Sequence, residues 1–498
     1  MDGVAPRPTN GDESLYPDRI ASYTKSLPHN AFGEVDVNAY TAFMTACANK
    51  DQLSFEFIPS GQPNSLQRMK LVNPLGGLTY DLEGVDACNT TMPPPPTFAS
   101  ARMAGEIVEN YWMALLRDIP FSQYATHPLV AQACADLSLL SDFFAPKVGG
   151  SVTPATLFRD AAPGCVVGPY ISQFLVRSQP IGAQYIEPKM RTVVSGVDYM
   201  TTDATWLDRQ NGVRPTVPLG FDSQLRYIRN GRDLSRWVHI DLLYQAYFQA
   251  MLAMLAAPDA TNPFTGGGLG VPPNIGNPYS TALMQDGFAS FGGPKVQSLL
   301  CEVGTRALHG CWFQKWFVHR SLRPEVYAGR VHHKLANGRP YPIHADVLNS
   351  GALALIQSAN GGRSYLPQVF PEGSPAHPSF PSGHATVAGA CVTILKALFH
   401  TDVPYVNPVV PSDDGLTLLS YTGPGATQMT VGGELNKLAM NVAYGRNIAG
   451  VHWRADAYES MRLGEAIAIS VLRDQRETYV ENFNGFTFKK FDGTTIVV

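Results

Sequence analysis

The chemistry open to this chain concentrates between Lys315 and Asp456, where three short segments set polar groups into apolar surroundings. The first is Lys315-Trp-Phe-Val-His-Arg-Ser-Leu-Arg323-Pro324. Lys315 follows Gly304, Leu308 and Cys311 by 11, 7 and 4 residues, which places it on one apolar helix face. Buried lysines are rare unless paired, although a lysine at a helix end can also lay its stem on apolar surface and keep its ammonium in water. Arg323 precedes Pro324, where a helix must stop, so it can project toward the place Lys315 reaches. The second segment is His377-Pro-Ser-Phe-Pro381-Ser382-Gly383-His384. A helix expected from Pro381 and Ser382 to about Phe399 would leave free backbone N–H groups around Gly383. Such a terminus binds tetrahedral oxyanions, and glycine lets the anion approach the backbone. Ser382 alone reads equally well as a simple cap. The third segment is Arg446-Asn-Ile-Ala-Gly-Val-His452-Trp-Arg-Ala-Asp456, with Asp456 either orienting His452 or standing as an ordinary surface carboxylate.

Together these segments supply three cations, one anion-binding helix end and two or three imidazoles. Three positive charges in an apolar core repel one another unless a multivalent anion sits between them. A phosphate-like tetrahedral oxyanion meets that requirement. No G-x-S-x-G elbow is present, which disfavours a serine hydrolase.

The elements that must position these residues read as mainly α. Of 498 residues, 45% are hydrophobic and only 16% charged, against roughly 25% in an average soluble domain, so a large core is expected and extensive disorder is excluded. The net charge of -4 offers no footprint for nucleic acid. Residues 1–100 form a loop-rich arm containing a polyproline stretch, Thr91 to Phe98. Residues 101–290 are expected to be an N-terminal helical region and residues 291–498 a C-terminal one carrying the site. Met103, Ile107, Tyr111 and Leu115 repeat at helical spacing, and further helices are expected over Leu129–Phe144, Trp237–Ala257, Pro294–His319 and Glu434–Tyr444, with another running from His452 toward Leu472. Arg446 is expected just beyond the fourth of these. The glycine-rich run in Thr261–Tyr279 has neither a preceding strand nor a following GK[ST], so nucleotide binding is not expected. Asp492-Gly493 marks a small C-terminal hairpin. The 237–257 stretch is interrupted by His239, Asp241, Gln245 and Gln249, so no membrane span is expected. The opening residues lack a signal-peptide pattern, so a soluble protein is expected, its compartment left open. The seven cysteines show no metal spacing and read mostly as buried thiols, with Cys47 or Cys88 as candidates for an intermolecular bridge.

The ordered set Lys…Arg-Pro, Pro-Ser-Gly-His, and Arg with a histidine six residues later resembles the vanadium-dependent haloperoxidases and the related histidine acid phosphatases. The resemblance implies helical bundles with long loops and an oxyanion site that holds vanadate. It implies that Lys315, Arg323 and Arg446 neutralise the vanadate oxygens and that Ser382 and Gly383 complete the cradle. His452 would bond vanadium, and His384 would be the acid–base group, with His377 beside it. A seven-residue gap between Lys315 and Arg323, and His377 five residues before Ser382, make the chain most similar to the algal and cyanobacterial bromoperoxidases. Trp312 stands at a position that varies among these enzymes. The implied reaction takes hydrogen peroxide and bromide (or iodide, and weakly chloride) to hypohalous acid, which halogenates small organic substrates. A homo-oligomer is expected, and the long loops leave room for a structural calcium. Two rivals remain at this level: a histidine acid phosphatase using His452 as nucleophile, and a non-catalytic assembly protein that merely binds an anion.

His377 generates the first prediction. An imidazole there can hydrogen-bond His384 and makes the halide pocket more polar than phenylalanine would. His377→Phe should raise chloride turnover relative to bromide. Comparing both halides across a pH series checks it, and unchanged ratios would remove His377 from halide selection.

Overall fold

The computed structural model describes residues 6–257 and 268–498, so the first part of the expected glycine-rich loop, through Gly267, lies outside the described residues. The longest helices are Arg454–Glu477, Gly293–Phe313, Val431–Ile448, Ala101–Leu116 and Gly383–Leu398. Each strand pair among the described residues is a small antiparallel ladder of two strands, which agrees with the scarcity of alternating sequence. The last, Thr487–Lys489 with Thr495–Val497, is the expected C-terminal hairpin.

Gly383–Leu398 is the central helix. Apart from His384 and Lys396 its residues are small or apolar, and all but His384 are buried. It packs most extensively against Arg454–Glu477 and then against Gly293–Phe313 and Val431–Ile448. Two glycines set the closest crossing. A Cβ on Gly464 would lie 1.9 Å from the Thr386 carbonyl oxygen, and one on Gly389 would lie 2.0 Å from that of Met461. The backbones therefore meet with no side chain between them. The largest cluster of buried apolar residues runs from Ile20 to Val498 and takes members from all three expected regions.

Several elements depart from the sequence-based expectation. The 237–257 stretch is two helices, Gly231–Ile240 and Gln245–Leu255, because Asp241 turns to an extended backbone (ψ 148°) and ends the first. Pro128–Ser138 stops short of the expected Phe144. The α-helix begun at Gly293 ends at Phe313, and residues Gln314–His319 widen into a π-helical turn that Arg320 closes in left-handed conformation. Arg446 lies inside the last turn of Val431–Ile448 rather than beyond it, and the final long helix begins at Arg454, two residues after His452.

The loop-rich arm lies on its own chain. Lys25 is fully buried, donates to Glu325 at 2.8 Å and reaches the carbonyl of Glu372. Arg320 makes a two-pronged ion pair with Glu13. The Phe98 amide, at the end of the proline run, donates to Asp12. All seven cysteines are free, and Cys47 is buried.

The crossing makes a sharp prediction. Gly464→Ala forces a methyl against a carbonyl in a packed interface, which typically costs about 1–3 kcal/mol. Thermal unfolding should show a clear drop in Tm. An unchanged Tm would mean that the two helices can part without cost.

Candidate active site

Local structure delivers each charged group to one place. The π-helical turn at Gln314–His319 carries Lys315 inward, and the residue is fully buried. Such turns are frequent at functional sites because the extra residue re-aims a side chain. Arg323 is the N-cap of Pro324–Asn337 and is also fully buried. Ser382 caps Gly383–Leu398, accepting from the Ala385 amide at 3.4 Å, while its own amide donates to Ser460 Oγ at 2.7 Å. A cavity of about 410 Å³ opens over these elements, and His377, Gly383, His384, Arg446 and His452 line it. Lys315, Arg323 and Ser382 sit buried behind its wall. All eight residues singled out in the sequence therefore converge.

The cations are held by carbonyl oxygens. Lys315 Nζ donates to Pro378 O and Ser379 O, each at 2.7 Å, which leaves the third of its donors for an anion. Arg323 donates to His377 O (2.9 and 3.1 Å) and to Val451 O at 2.7 Å. Arg446 donates to Val238 O at 3.3 Å, while its buried Nε has no partner. Burial pushes Lys315 below the ordinary lysine range, with Arg323 and Arg446 pushing the same way. Burial likewise lowers Arg323, to about 10, and Arg446.

The geometry assigns the tautomer of His452. A guanidinium can only donate, so Nε2, 3.0 Å from Arg323 Nη1, must accept. The ring proton therefore sits on Nδ1 and donates to Asp456 Oδ2 at 2.6 Å. Burial first, and then Arg323, Lys315 and Arg446, hold the imidazole well below its ordinary pKa, so it is neutral. Asp456 is fully buried, which raises its pKa against the opposing pull of Ser379 and Lys315. It is thus the orienting carboxylate, not a surface one, and Ser379 Oγ at 2.5 Å fixes it from the other side. His452 presents a lone pair on Nε2 toward the cations.

The two remaining histidines separate. His377 is buried and kept neutral, first by burial and then by Lys315 and Arg323. Its Nδ1 accepts from Arg323 Nη2 at 2.9 Å, and its ring packs on Trp312 with centroids 4.9 Å apart. The expected bond between His377 and His384 is absent: Arg323 engages Nδ1 of His377, and Asp241 engages Nε2 of His384. His384 is one-third exposed and pairs instead with Asp241, Nε2 to Oδ1 at 3.2 Å. Asp241 was legible in the sequence only as one of the polar residues interrupting an apolar stretch, and the helix break places it at the cavity.

The arrangement fits a tetrahedral oxyanion. It offers three cations whose nearby carboxylates, Asp456, Asp241 and Glu372, are each engaged by a histidine. It also offers an orphaned guanidinium nitrogen, a helix N-terminus and a neutral ligating imidazole. Among the described residues, no group of three or more His, Cys, Asp or Glu side chains converges to hold a metal ion by itself. No described helix is long and apolar enough to cross a membrane.

Comparison with known proteins agrees. The family model of the VCPO second helical-bundle domain matches residues 305–481. A vanadium-dependent bromoperoxidase of Ascophyllum nodosum is 37% identical over 98% of this chain and 87% of its own length. That of Corallina pilulifera is 37% identical over all of this chain and 95% of its own. The chain belongs to the vanadium-dependent bromoperoxidase family. The solved homohexameric structure of a second vanadate-dependent bromoperoxidase of Ascophyllum nodosum superposes with a TM-score of 0.92 at 33% identity, covering 99% of this chain and 86% of that one. This family member therefore keeps the mainly helical fold along its length, including the loop-rich arm.

The depressed Lys315 yields a prediction of definite sign. Without an anion, the buried ammonium loses its proton at a lower pH than an ordinary lysine. An anion in the cradle restores the proton's hold. Between those two limits, phosphate or vanadate binding should take up a proton, and affinity should fall as pH rises. Calorimetry in buffers of different ionisation enthalpy reads the uptake. Lys315→Met should lower it, and an unchanged uptake in that variant would assign the proton elsewhere.

Proposed function

We propose that this chain is a vanadate-dependent peroxidase that uses hydrogen peroxide to oxidise bromide, and iodide, to hypohalous acid, which then halogenates small electron-rich organic substrates. The observation that carries this reading is the neutral His452, whose Nε2 lone pair meets Arg323 Nη1 at the wall of a cavity that Arg446 also lines. Membership of the bromoperoxidase family supports the halide chemistry.

In this reading Lys315, Arg323 and Arg446 neutralise the oxygens of vanadate, and the Ser382 hydroxyl and Gly383 amide add donors at the helix end. His452 Nε2 would bond the metal in place of its contact with Arg323, with Asp456 holding the opposite nitrogen protonated and the ring in place. Bound vanadate supplies a Lewis-acidic vanadium(V) centre that activates hydrogen peroxide without changing its oxidation state. His384 moves the proton at the open side of the cavity through Nδ1, the nitrogen not engaged by Asp241, and Asp241 on Nε2 stabilises the imidazolium while it carries that proton. His377 holds Arg323 and Trp312 in place and sets the polarity of the wall the halide meets. Exposed apolar residues, including Phe57, Leu66 and Leu82 in the arm, suit burial between copies of the chain, and the homohexameric relative supports a homo-oligomer.

Removal and return of the cofactor test the reading. Dialysis against phosphate and a chelator should abolish bromination of a phenol dye, and orthovanadate should restore it. His452→Ala should lose tightly held vanadate. His384→Ala should keep vanadate and lose about 100- to 10,000-fold in turnover, the usual worth of a positioned acid–base group. Full activity after vanadate removal, or robust phosphate-ester hydrolysis without peroxidase activity, would overturn it.

A further inference from the structure

A second histidine–carboxylate pair faces the same cavity. His239 Nε2 lies 3.1 Å from Glu372 Oε1, and both side chains line the cavity wall together with His384 and Asp241. One helix end feeds both pairs. The last turn of Gly231–Ile240 supplies His239, and the residue that ends the helix, Asp241, supplies the carboxylate for His384.

The new pair is built rigidly and left wet. The His239 ring stacks flat on Phe370, with centroids 3.7 Å apart and planes 9° apart. Glu372 is braced from behind: its carbonyl accepts from Lys25, which is paired with Glu325, and Glu325 also accepts from the Ser374 amide. His239 and Glu372 are nevertheless 23% and 29% exposed, so each touches both solvent and cavity. Burial pushes the Glu372 carboxyl up, but the hydrogen bond and charge of His239 more than offset it and hold it below its ordinary value. The other charges around the pair are Asp241 and Arg236 from its own helix end, Arg446 from Val431–Ile448, Arg209, Lys25 and the neighbouring His384.

The proposed reaction consumes protons. Hydrogen peroxide, bromide and one proton give hypobromous acid and water. Bromide loses two electrons, the O–O bond breaks, an O–Br bond forms, and the released oxygen leaves as water with the added proton. Each turnover therefore draws one proton from solvent into a cavity whose deeper wall is lined with cations that oppose its entry.

We infer that His239 and Glu372 form a proton-entry pair at the cavity mouth, taking protons from solvent and passing them inward to His384. The inference rests on the peroxidase reading. His239 acts through His384 and touches no reacting atom, so it is a positioning residue for the proton. Glu372 stabilises the imidazolium while it is charged and keeps the ring aimed along the cavity. Phe370 restricts the ring to one plane.

The simpler role for the pair is a strut that pins residues 370–374, and the experiment separates the two. His239→Gln keeps an N–H for Glu372 but cannot relay a proton. In the vanadate-loaded enzyme it should lower kcat by about ten-fold or more at neutral to alkaline pH, where solvent protons are scarce, and converge on wild type in acid. Added imidazole or concentrated buffer should restore the lost rate. Vanadate affinity, read by titrating the apoprotein, should be unchanged. Glu372→Gln, which also preserves the hydrogen bond, should shift the pH profile in the same direction and serves if the first variant folds poorly. A kcat equal to wild type at every pH, or a pH-independent loss that buffer does not rescue and that parallels weaker vanadate binding, would overturn the inference and leave the strut. A wild-type enzyme inert toward bromide in every buffer would instead overturn the function proposed above.

Discussion

The structure depends on solvating three buried cations without cancelling their charge. Carboxylate partners for Lys315, Arg323 and Arg446 would quench the potential that an oxyanion requires. Backbone carbonyls do the solvating instead: Pro378 and Ser379 for the lysine, His377 and Val451 for one guanidinium, Val238 for the other. A carbonyl dipole lowers the desolvation cost of a charge yet contributes no net charge of its own. Asp456, the carboxylate beside Lys315 and Arg323, is occupied by His452, Ser379 and the Trp453 amide. Its charge keeps a proton on one imidazole nitrogen and so leaves the other an acceptor, which Arg323 meets.

That solution dictates local backbone shape. A helix or strand spends its carbonyls internally, so the segment from His377 to Pro381 has to run irregularly for its oxygens to face inward. The same logic explains the break at Asp241 and the π-helical turn at Lys315, both of which re-aim a side chain that a continuous helix would have carried past the cavity. Irregular pieces hold their geometry only when regular ones clamp them. The crossing at Gly389 and Gly464 provides the clamp, since it brings the helix that begins at Ser382 against the one that follows His452.

The same division decides what could be read from sequence. The cation set and its helix-end nest were legible because like charges amid apolar residues demand an anion, and because Pro324, Ser382 and Gly383 punctuate helices in recognisable ways. Helical periodicity carried Ala101–Leu116, and the Pro381-Ser382 start with the run of small and apolar residues behind it carried Gly383–Leu398, both with little error. Asp241 and the two-helix form of the 237–257 stretch were not legible, because the apolar pattern continues through Leu242 and Leu243 and nothing local marks an end. The role of Asp456 stayed open until its distance to His452 was known. The partner of His384 was not legible either, because Asp241 lies 143 residues away in sequence and only the helix break brings it to the cavity.

The pairing of the arm with the site has a consequence for how the chain acquires its shape. Glu13 waits for Arg320, and Lys25 waits for Glu325, a separation of 300 residues. On a ribosome, the arm therefore emerges before its partners and meets them only after some 300 further residues have been made. Contacts of such long sequence separation form late and slowly, and unpartnered segments of large proteins are where aggregation begins. The arm's many prolines and polar loop residues suit that interval, since a segment poor in continuous apolar runs can stay solvated while it waits. A segment made before its partners thus finds its place only after them.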